Sequence, residues 1–391
     1  MDNEKKVLVV YTGGTICTLL SEGAEGALRG ISDGAMSALV SFYEASDSPF
    51  ANAGRIDGSG KRFGILSENM TVDRWNGILR YLRGEVLPHL DRYCGIILAH
   101  GTDTLAYSAA LLSWVLRGIS VPVFLVSSNA PVAVPDPKTK ALLPNPEANG
   151  NDNFRLAADC CFCGIPAGVY VPYREVRTEK KRPLLHLAAH LTQCRNYEDD
   201  FHSRDPLDLT GLSAEGASAL FKSLPRWETK PAEALLLSRL GDTPLKDCVL
   251  KLDPYVGLDY GAFDLKKYRA VLHGSYHSGT ACVEYSKEQP ILSTHSVLYL
   301  MARCAGEGVA LYFAPAKRSR VEGVYESVPY FGNLEAEGQR AVFCYGMTQE
   351  LLYAKLLCLY SSDLPKDEGS IAAYLADHGG ESVEQGEVTF R

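Results

Sequence analysis

Short apolar runs, each ending in a turn and separated by stretches of helical periodicity, constrain this chain more than any other feature. Lys6–Tyr11, Gly95–Ala99, Val121–Val126 and Gly168–Pro172 are brief, apolar and rich in β-branched residues. Runs of this kind, bounded by turn signals, read as strands of a buried parallel sheet. Between them, Thr71–Leu87, Leu105–Leu116 and Asn153–Cys163 place apolar residues at helical spacing, with Thr71 as N-cap of the first. Strand–helix alternation predicts a mostly parallel sheet with helices on both faces, a three-layer α/β domain. A second α/β block follows, with strands Val249–Leu252, Arg269–Gly274 and Val309–Phe313 and helices Ser293–Ala305 and Thr348–Leu359. Thr348 is the N-cap of the last helix, and Glu350 lies in its first turn.

The intervening chain is less regular. Gly23–Gly34 reads as a loop, Val176–Leu212 as irregular and charged, and Leu212–Glu233, with Pro225 and Pro231, as linker. The expected organisation is a larger N-terminal domain over 1–212, a connection over 213–245, and a smaller C-terminal α/β domain over 246–391 with a tail carrying Gly379-Gly380. The 391 residues suit two domains at ~150 residues each.

Composition excludes several functions. A net charge of −8 argues against sequence-independent nucleic-acid binding, which needs a basic surface. No apolar run approaches the ~18 residues of a membrane span. The charged start and the short run Val7–Val10 do not read as a secretory signal. Eleven cysteines without an export signal read as reduced thiols of a cytoplasmic protein. Cys160-Cys161-Phe162-Cys163 contains a CxxC, but no second pair has zinc-site spacing, so it reads as the buried side of a helix ending at Gly164, with a redox role as the lesser reading.

Two strand ends are unusually polar: Thr12-Gly13-Gly14-Thr15 and His100-Gly101-Thr102-Asp103-Thr104. In open α/β sheets ligands bind beyond the carboxyl ends of the strands. Glycines there let the backbone turn sharply and approach a ligand, and exposed N–H groups suit an oxyanion. Either turn alone also serves as a plain strand-to-helix connection. Neither is a phosphate motif, since no GxGxxG and no Gly-Lys-Ser/Thr is present. Their pairing in one domain makes Thr15 and Thr102 the leading catalytic candidates.

Val10-Tyr11-Thr12-Gly13-Gly14-Thr15-Ile16 resembles the first signature of the L-asparaginase family, and Leu98-Ala99-His100-Gly101-Thr102-Asp103-Thr104 the second. Ile65-Leu66-Ser67-Glu68-Asn69-Met70-Thr71 is similar to its substrate-carboxylate segment, Phe201-His202-Ser203-Arg204-Asp205-Pro206 to the end of its first-domain active-site excursion, and Met347-Thr348-Gln349-Glu350 with Lys355-Leu356 to its last helix. The resemblance implies hydrolysis of asparagine to aspartate and ammonia without cofactor or metal, by a homodimer or homotetramer. It implies Thr15 as nucleophile and Thr102 as an activating group, with Gly14 and Gly101 lining the substrate. Ser67 would hold the substrate carboxylate, Asp103 its ammonium, and Glu68 would add a second carboxylate nearby. Ser67 and Glu68 also read simply as a loop serine and a solvated acid.

The chain departs from that family in four places. Ser21–Glu25 replaces a tyrosine-bearing loop, and no tyrosine occurs between Tyr11 and Tyr43. No lysine lies between Lys181 and Lys222, where the family pairs one with its second threonine; counting back from Phe201 puts that place on Arg195 or a close neighbour. Arginine keeps its proton, so Arg195 would supply charge but no general base. His186, His190 and His202 are candidates for a substitute base, or surface and helix residues without chemistry. Val126-Ser127-Ser128-Asn129 and Ser275-Tyr276-His277-Ser278-Gly279-Thr280 also differ from the family's usual segments. The resemblance would let Tyr276, His277 and Thr280 reach a neighbouring subunit; the other reading is a tight turn. Two further readings stay open. One is a catalytically weak member that binds an amino acid or a partner. The other is an ammonia-supplying amidase subunit, which would usually carry a domain ahead of a signature that here begins at Val10.

Overall fold

A computed structural model describes residues 5–20, 28–51, 54–211, 213–223, 236–283, 293–316, 341–364, 366–376 and 388–390. The chain forms two compact units, Met1–Asp242 and Thr243–Arg391.

The first unit opens with β1 (Lys6–Gly13), a hairpin of β2 (Thr18–Leu20) and β3 (Leu28–Ile31), and helix α1 (Asp33–Glu44). Strands β4 (Ile56–Asp57) and β5 (Arg62–Ile65), helix α2 (Val72–Tyr81), β6 (Tyr93–Ala99), α3 (Leu105–Val115) and β7 (Pro122–Val126) follow. The hairpin of β8 (Ala133–Pro135) and β9 (Leu142–Pro144) leads to α4 (Gly150–Phe162) and β10 (Gly168–Arg174). Short strands β11 (Pro183–Leu187), β12 (Leu191–Thr192), β13 (His202–Ser203) and β14 (Leu207–Asp208) precede α5 (Ala214–Ser223) and α6 (Leu236–Leu240). One sheet runs in the order β14-β11-β10-β7-β6-β1-β4, with β5 also on β1. Its pairs from β10 to β4 are parallel, and β11 and β14 are antiparallel.

Alternation along the strands makes the layers. Val7, Val9, Tyr11, Ile97, Ala99, Phe124 and Val126 form one buried cluster with Met36 and Leu39 of α1 and Phe154 and Ala157 of α4. The intervening Leu8, Val10, Ile96, Leu98, Val123 and Leu125 point to the other face and are equally buried. Trp75 of α2 donates to Ser108 Oγ of α3 at 2.9 Å. The continuous apolar runs of the sequence thus become strands of a sheet covered on both sides. Thr71 caps α2 by accepting from Arg74 N at 3.3 Å. Cys160 and Cys161 are buried on α4, and Gly164 just beyond it takes φ +75°, as the C-terminal turn requires.

The structure adds helices where the sequence pattern suggested loop or linker. Within the expected Gly23–Gly34 loop, β3 pairs with β2, and α1 starts at Asp33, capped by Ser32, which accepts from Gly34 N at 3.2 Å. The expected connection over 213–245 carries α5 and α6; Ser213 accepts from Gly216 N at 3.1 Å and starts α5. Val176–Leu212 holds the short strands β11–β14, which gain order from pairing across segments rather than from local periodicity. Residues 21–27 and 377–387, which include Ser21–Glu25 and Gly379-Gly380, lie outside the described residues.

The second unit has parallel β15 (Val249–Leu252), β16 (Ala270–His273), β17 (Ala310–Ala316) and β18 (Ala341–Tyr345), with β19 (Val388–Phe390) antiparallel at the edge. Helix α7 (Val297–Glu307) begins at Val297 rather than Ser293, because Ser296 supplies the cap, accepting from Leu298 N at 3.3 Å. Thr348 accepts from Leu351 N at 3.2 Å and caps the helix Gln349–Ser361. Among the described residues no helix is long and apolar enough to cross a membrane.

Candidate active site at the carboxyl ends of two adjacent strands

Tyr11 of β1 pairs with Ala99 of β6, so the two glycine turns leave neighbouring strands at the same edge of the sheet. Thr12, buried just beyond, donates from Oγ1 to Ala99 O at 2.7 Å and ties the strand ends together. Gly13 and Gly14 take φ +132° and +80°. A Cβ on Gly13 would collide with the backbone of Ile65, and one on Gly14 with the backbone of Gly101, both far inside the 3.0 Å that real Cβ atoms respect. A Cβ on Gly101 would collide with the Ser67 side chain. Glycine at all three positions therefore lets residues 12–15, 65–67 and 100–104 close on one another.

Polar bonds lock this junction. Ser67 is buried; its hydroxyl donates to Asp103 Oδ2 at 2.8 Å and accepts from Asp103 N at 3.3 Å. Thr104 Oγ1 donates to Ser67 O at 3.0 Å. Asp103 itself is exposed, so its second carboxylate oxygen faces outward from a buried hydroxyl partner. Thr15 opens a short 3₁₀ turn, is half-buried, and its hydroxyl has no hydrogen bond among the described residues. Thr102 is likewise half-buried. Glu68 follows Ser67 but is exposed and makes no hydrogen bond among the described residues.

Two expectations need correction. Gly14 N donates to Ile65 O at 3.0 Å, so this N–H is not available to an oxyanion; the residue contributes room for close approach instead. Among the described residues no hydrogen bond joins Arg195 to Thr102. Arg195 is exposed in a turn where its carbonyl accepts from Glu198 N at 3.0 Å. The residue that reaches the threonine turn is Gln193, whose Nε2 donates to Thr102 O at 2.9 Å and whose Oε1 accepts from Ala106 N at 3.2 Å. No spacing rule singles out a glutamine in a charged, aperiodic stretch; only the packing of β12 onto α3 reveals it.

The histidines divide by burial. His100 donates from Nδ1 to Gly101 O at 2.7 Å, and burial pushes its pKa down to about 4, so it is a neutral, tautomer-fixed prop of the Gly101 peptide. His186 is also buried, bonded through Nδ1 to Ser203 Oγ at 2.8 Å, with its pKa pushed down to about 4 by burial first and by His202 second. His190 Nε2 accepts from Arg204 at 3.2 Å. His202 is exposed, 3.8 Å from the Glu198 carboxylate. Ser127 and Ser128 are buried, and Asn153 Nδ2 bonds Ser127 O at 2.9 Å, so that segment anchors α4. In the second unit Ser275–Thr280 forms a tight loop after β16, closed by Tyr276 N to Thr280 O at 2.8 Å and Ser278 Oγ to Thr280 Oγ1 at 2.9 Å.

A corner of this kind offers a buried hydroxyl beside a carboxylate, next to two threonines at glycine turns. It suits a small molecule carrying both charges and a group open to nucleophilic attack. A family model described as asparaginase, N-terminal, matches residues 6–141 of the chain. L-asparaginase 1 of Escherichia coli (strain K12) is 29% identical over 132 residues, 33% of this chain and 36% of that protein. The L-asparaginase of Thermococcus kodakarensis is 30% identical over 177 residues, 44% of each. A glutamyl-tRNA(Gln) amidotransferase component from Methanosarcina acetivorans is 34% identical over 125 residues, 32% of this chain and 26% of that protein. These matches thus span 26% to 44% of the relatives' own lengths. The solved structure of the thermostable L-asparaginase from Thermococcus kodakarensis has the same fold, with a TM-score of 0.66 at 21% identity over 98% of this chain and 99% of that one.

Proposed function

We propose that this protein hydrolyses the side-chain amide of L-asparagine to L-aspartate and ammonia, in the cytoplasm, as a homo-oligomer and without a cofactor. The observation that carries this reading is the junction of Gly14, Gly101 and Ser67, which sets Asp103 and the two threonine turns around one point at the sheet's carboxyl edge. Thr15 Oγ1, which has no hydrogen-bond partner among the described residues, attacks the amide carbon. The C–N bond then breaks, the leaving nitrogen takes up the proton given up by the Thr15 hydroxyl and departs as ammonia, and an ester to Thr15 remains. Water cleaves that ester, releasing aspartate and restoring the hydroxyl. Thr102 assists by hydrogen bonding to the nucleophile or the water. Asp103 receives the substrate ammonium, the Ser67 hydroxyl turns from Asp103 Oδ2 to donate to the substrate carboxylate, and Glu68 is an outer carboxylate.

Thr15→Ala is expected to abolish ammonia release from asparagine while lowering the unfolding free energy by no more than about 1 kcal/mol. Wild-type turnover in Thr15→Ala would overturn the mechanism. Release of ammonia from other small amides but not from asparagine would overturn the substrate.

A further inference from the structure

We infer that Gln193 is a neutral positioning residue of this site: its carboxamide clamps the Thr102 turn to the first turn of α3 and so sets the threonine and Asp103 for reaction. The inference rests on the proposed amidohydrolase reading. Three observations carry it. First, α3 has no cap of its own, because the N-cap Thr104 spends its hydroxyl on Ser67 O, 3.0 Å away. The free N–H of Ala106 needs an acceptor, and Gln193 Oε1 supplies one from 87 residues along the chain. Second, the same side chain donates to Thr102 O, so one rigid amide reads a donor and an acceptor on either side of Asp103. Third, Gln193 is half-buried and follows β12, which the pairing of Leu191 with Ser203 and of Thr192 with His202 holds in place. An ammonium or guanidinium has donors only, so it would satisfy Thr102 O and leave Ala106 N–H without an acceptor. The position demands a group with both functions and no charge.

This distinguishes Gln193 from a residue that merely fills space. In Gln193→Glu the ionised carboxylate accepts from Ala106 N but repels Thr102 O; once protonated, it regains one donor and one acceptor and mimics the amide. Turnover in Gln193→Glu is therefore expected to be at least tenfold below wild type at neutral pH and to recover toward it as pH falls, relative to the wild-type profile. Gln193→Met, of similar length without either function, is expected to lose at least tenfold in kcat at every pH, with KM changed less than threefold. Rates are compared at a temperature where circular dichroism shows each variant folded, and exchange of the Ala106 amide is followed by NMR or mass spectrometry. Faster Ala106 exchange in Gln193→Met, together with acid rescue in Gln193→Glu, supports the clamp. A Gln193→Met enzyme within twofold of wild type, or a Gln193→Glu profile parallel to wild type, overturns it. A wild type that releases no ammonia from any amide overturns the functional reading instead. In that case Ala106 protection lost in Gln193→Met supports the clamp, and protection unchanged overturns it.

Discussion

Replacing Gly14 by alanine tests whether the two glycine turns pack backbone against backbone. Gly14 sits at φ 80°, ψ −177°, a region essentially restricted to glycine, where another residue costs about 1–3 kcal/mol. Its new Cβ would also strike Gly101 Cα and N, backbone atoms that cannot rotate away, and overpacking of that kind costs about 1–3 kcal/mol. The sum is about 2–6 kcal/mol, a large part of the 5–15 kcal/mol typical of a folded domain. Two other glycines separate the contributions. Gly164 takes φ +75° with open space around it, so Gly164→Ala carries strain alone, about 1–2 kcal/mol. Gly60 has no positive φ, but its Cβ would meet Val9 O, so Gly60→Ala carries collision alone, about 1–3 kcal/mol. All three tryptophans, Trp75, Trp114 and Trp227, lie within Met1–Asp242, so tryptophan fluorescence in urea reports this unit. Gly14→Ala is expected to lower stability by about the sum of the other two. If it proves no more costly than Gly164→Ala, the close approach of the turns is wrong, and with it the assembly of the site.

Acid should destabilise both units. His100, His186 and His273 are buried with pKa near 4 against an unperturbed 6.5, so the unfolded chain binds more protons than the native one between those values, and stability falls as pH drops through that window. With two such groups in the first unit, going from pH 7 to 5 should remove roughly 4 kcal/mol from its urea-unfolding free energy; a flat dependence would reject their burial as neutral imidazoles. Asp103→Asn should raise KM for asparagine by about 30-fold, the equivalent of roughly 2 kcal/mol at the lower end for a charge pair, and spare amides without an amino group; equal loss for both ligands would remove Asp103 from ammonium recognition. Arg303 donates to Tyr260 O at 2.8 Å and Phe263 O at 3.0 Å while paired with Glu307, so Arg303→Met should cost the second unit about 3 kcal/mol in chemical denaturation; a change below about 0.5 kcal/mol would show these bonds to be replaceable by water.

The sequence by itself determined the layered sheet and the place of the two threonine turns. Both follow from local rules: short continuous apolar runs ending in turns make Lys6–Gly13 and Tyr93–Ala99 buried strands, and φ +132° and +80° demand glycine at 13 and 14. Caps such as Thr71 and Thr348 are local in the same way, because a side chain serves an N–H three residues on. Only the tertiary structure decided what closes the site. That Ser67 bonds Asp103 is a contact across 36 residues, set by β5 lying on β1 and β6 on its other side. That Gln193, not Arg195, meets Thr102 depends on the register of β12 on β13, since a shift along a strand changes which side chains face inward. In the aperiodic stretch from Val176 to Leu212 no repeating pattern marks an inner face. Side-chain direction there is fixed by pairing with distant segments, information that exists only once the chain has folded.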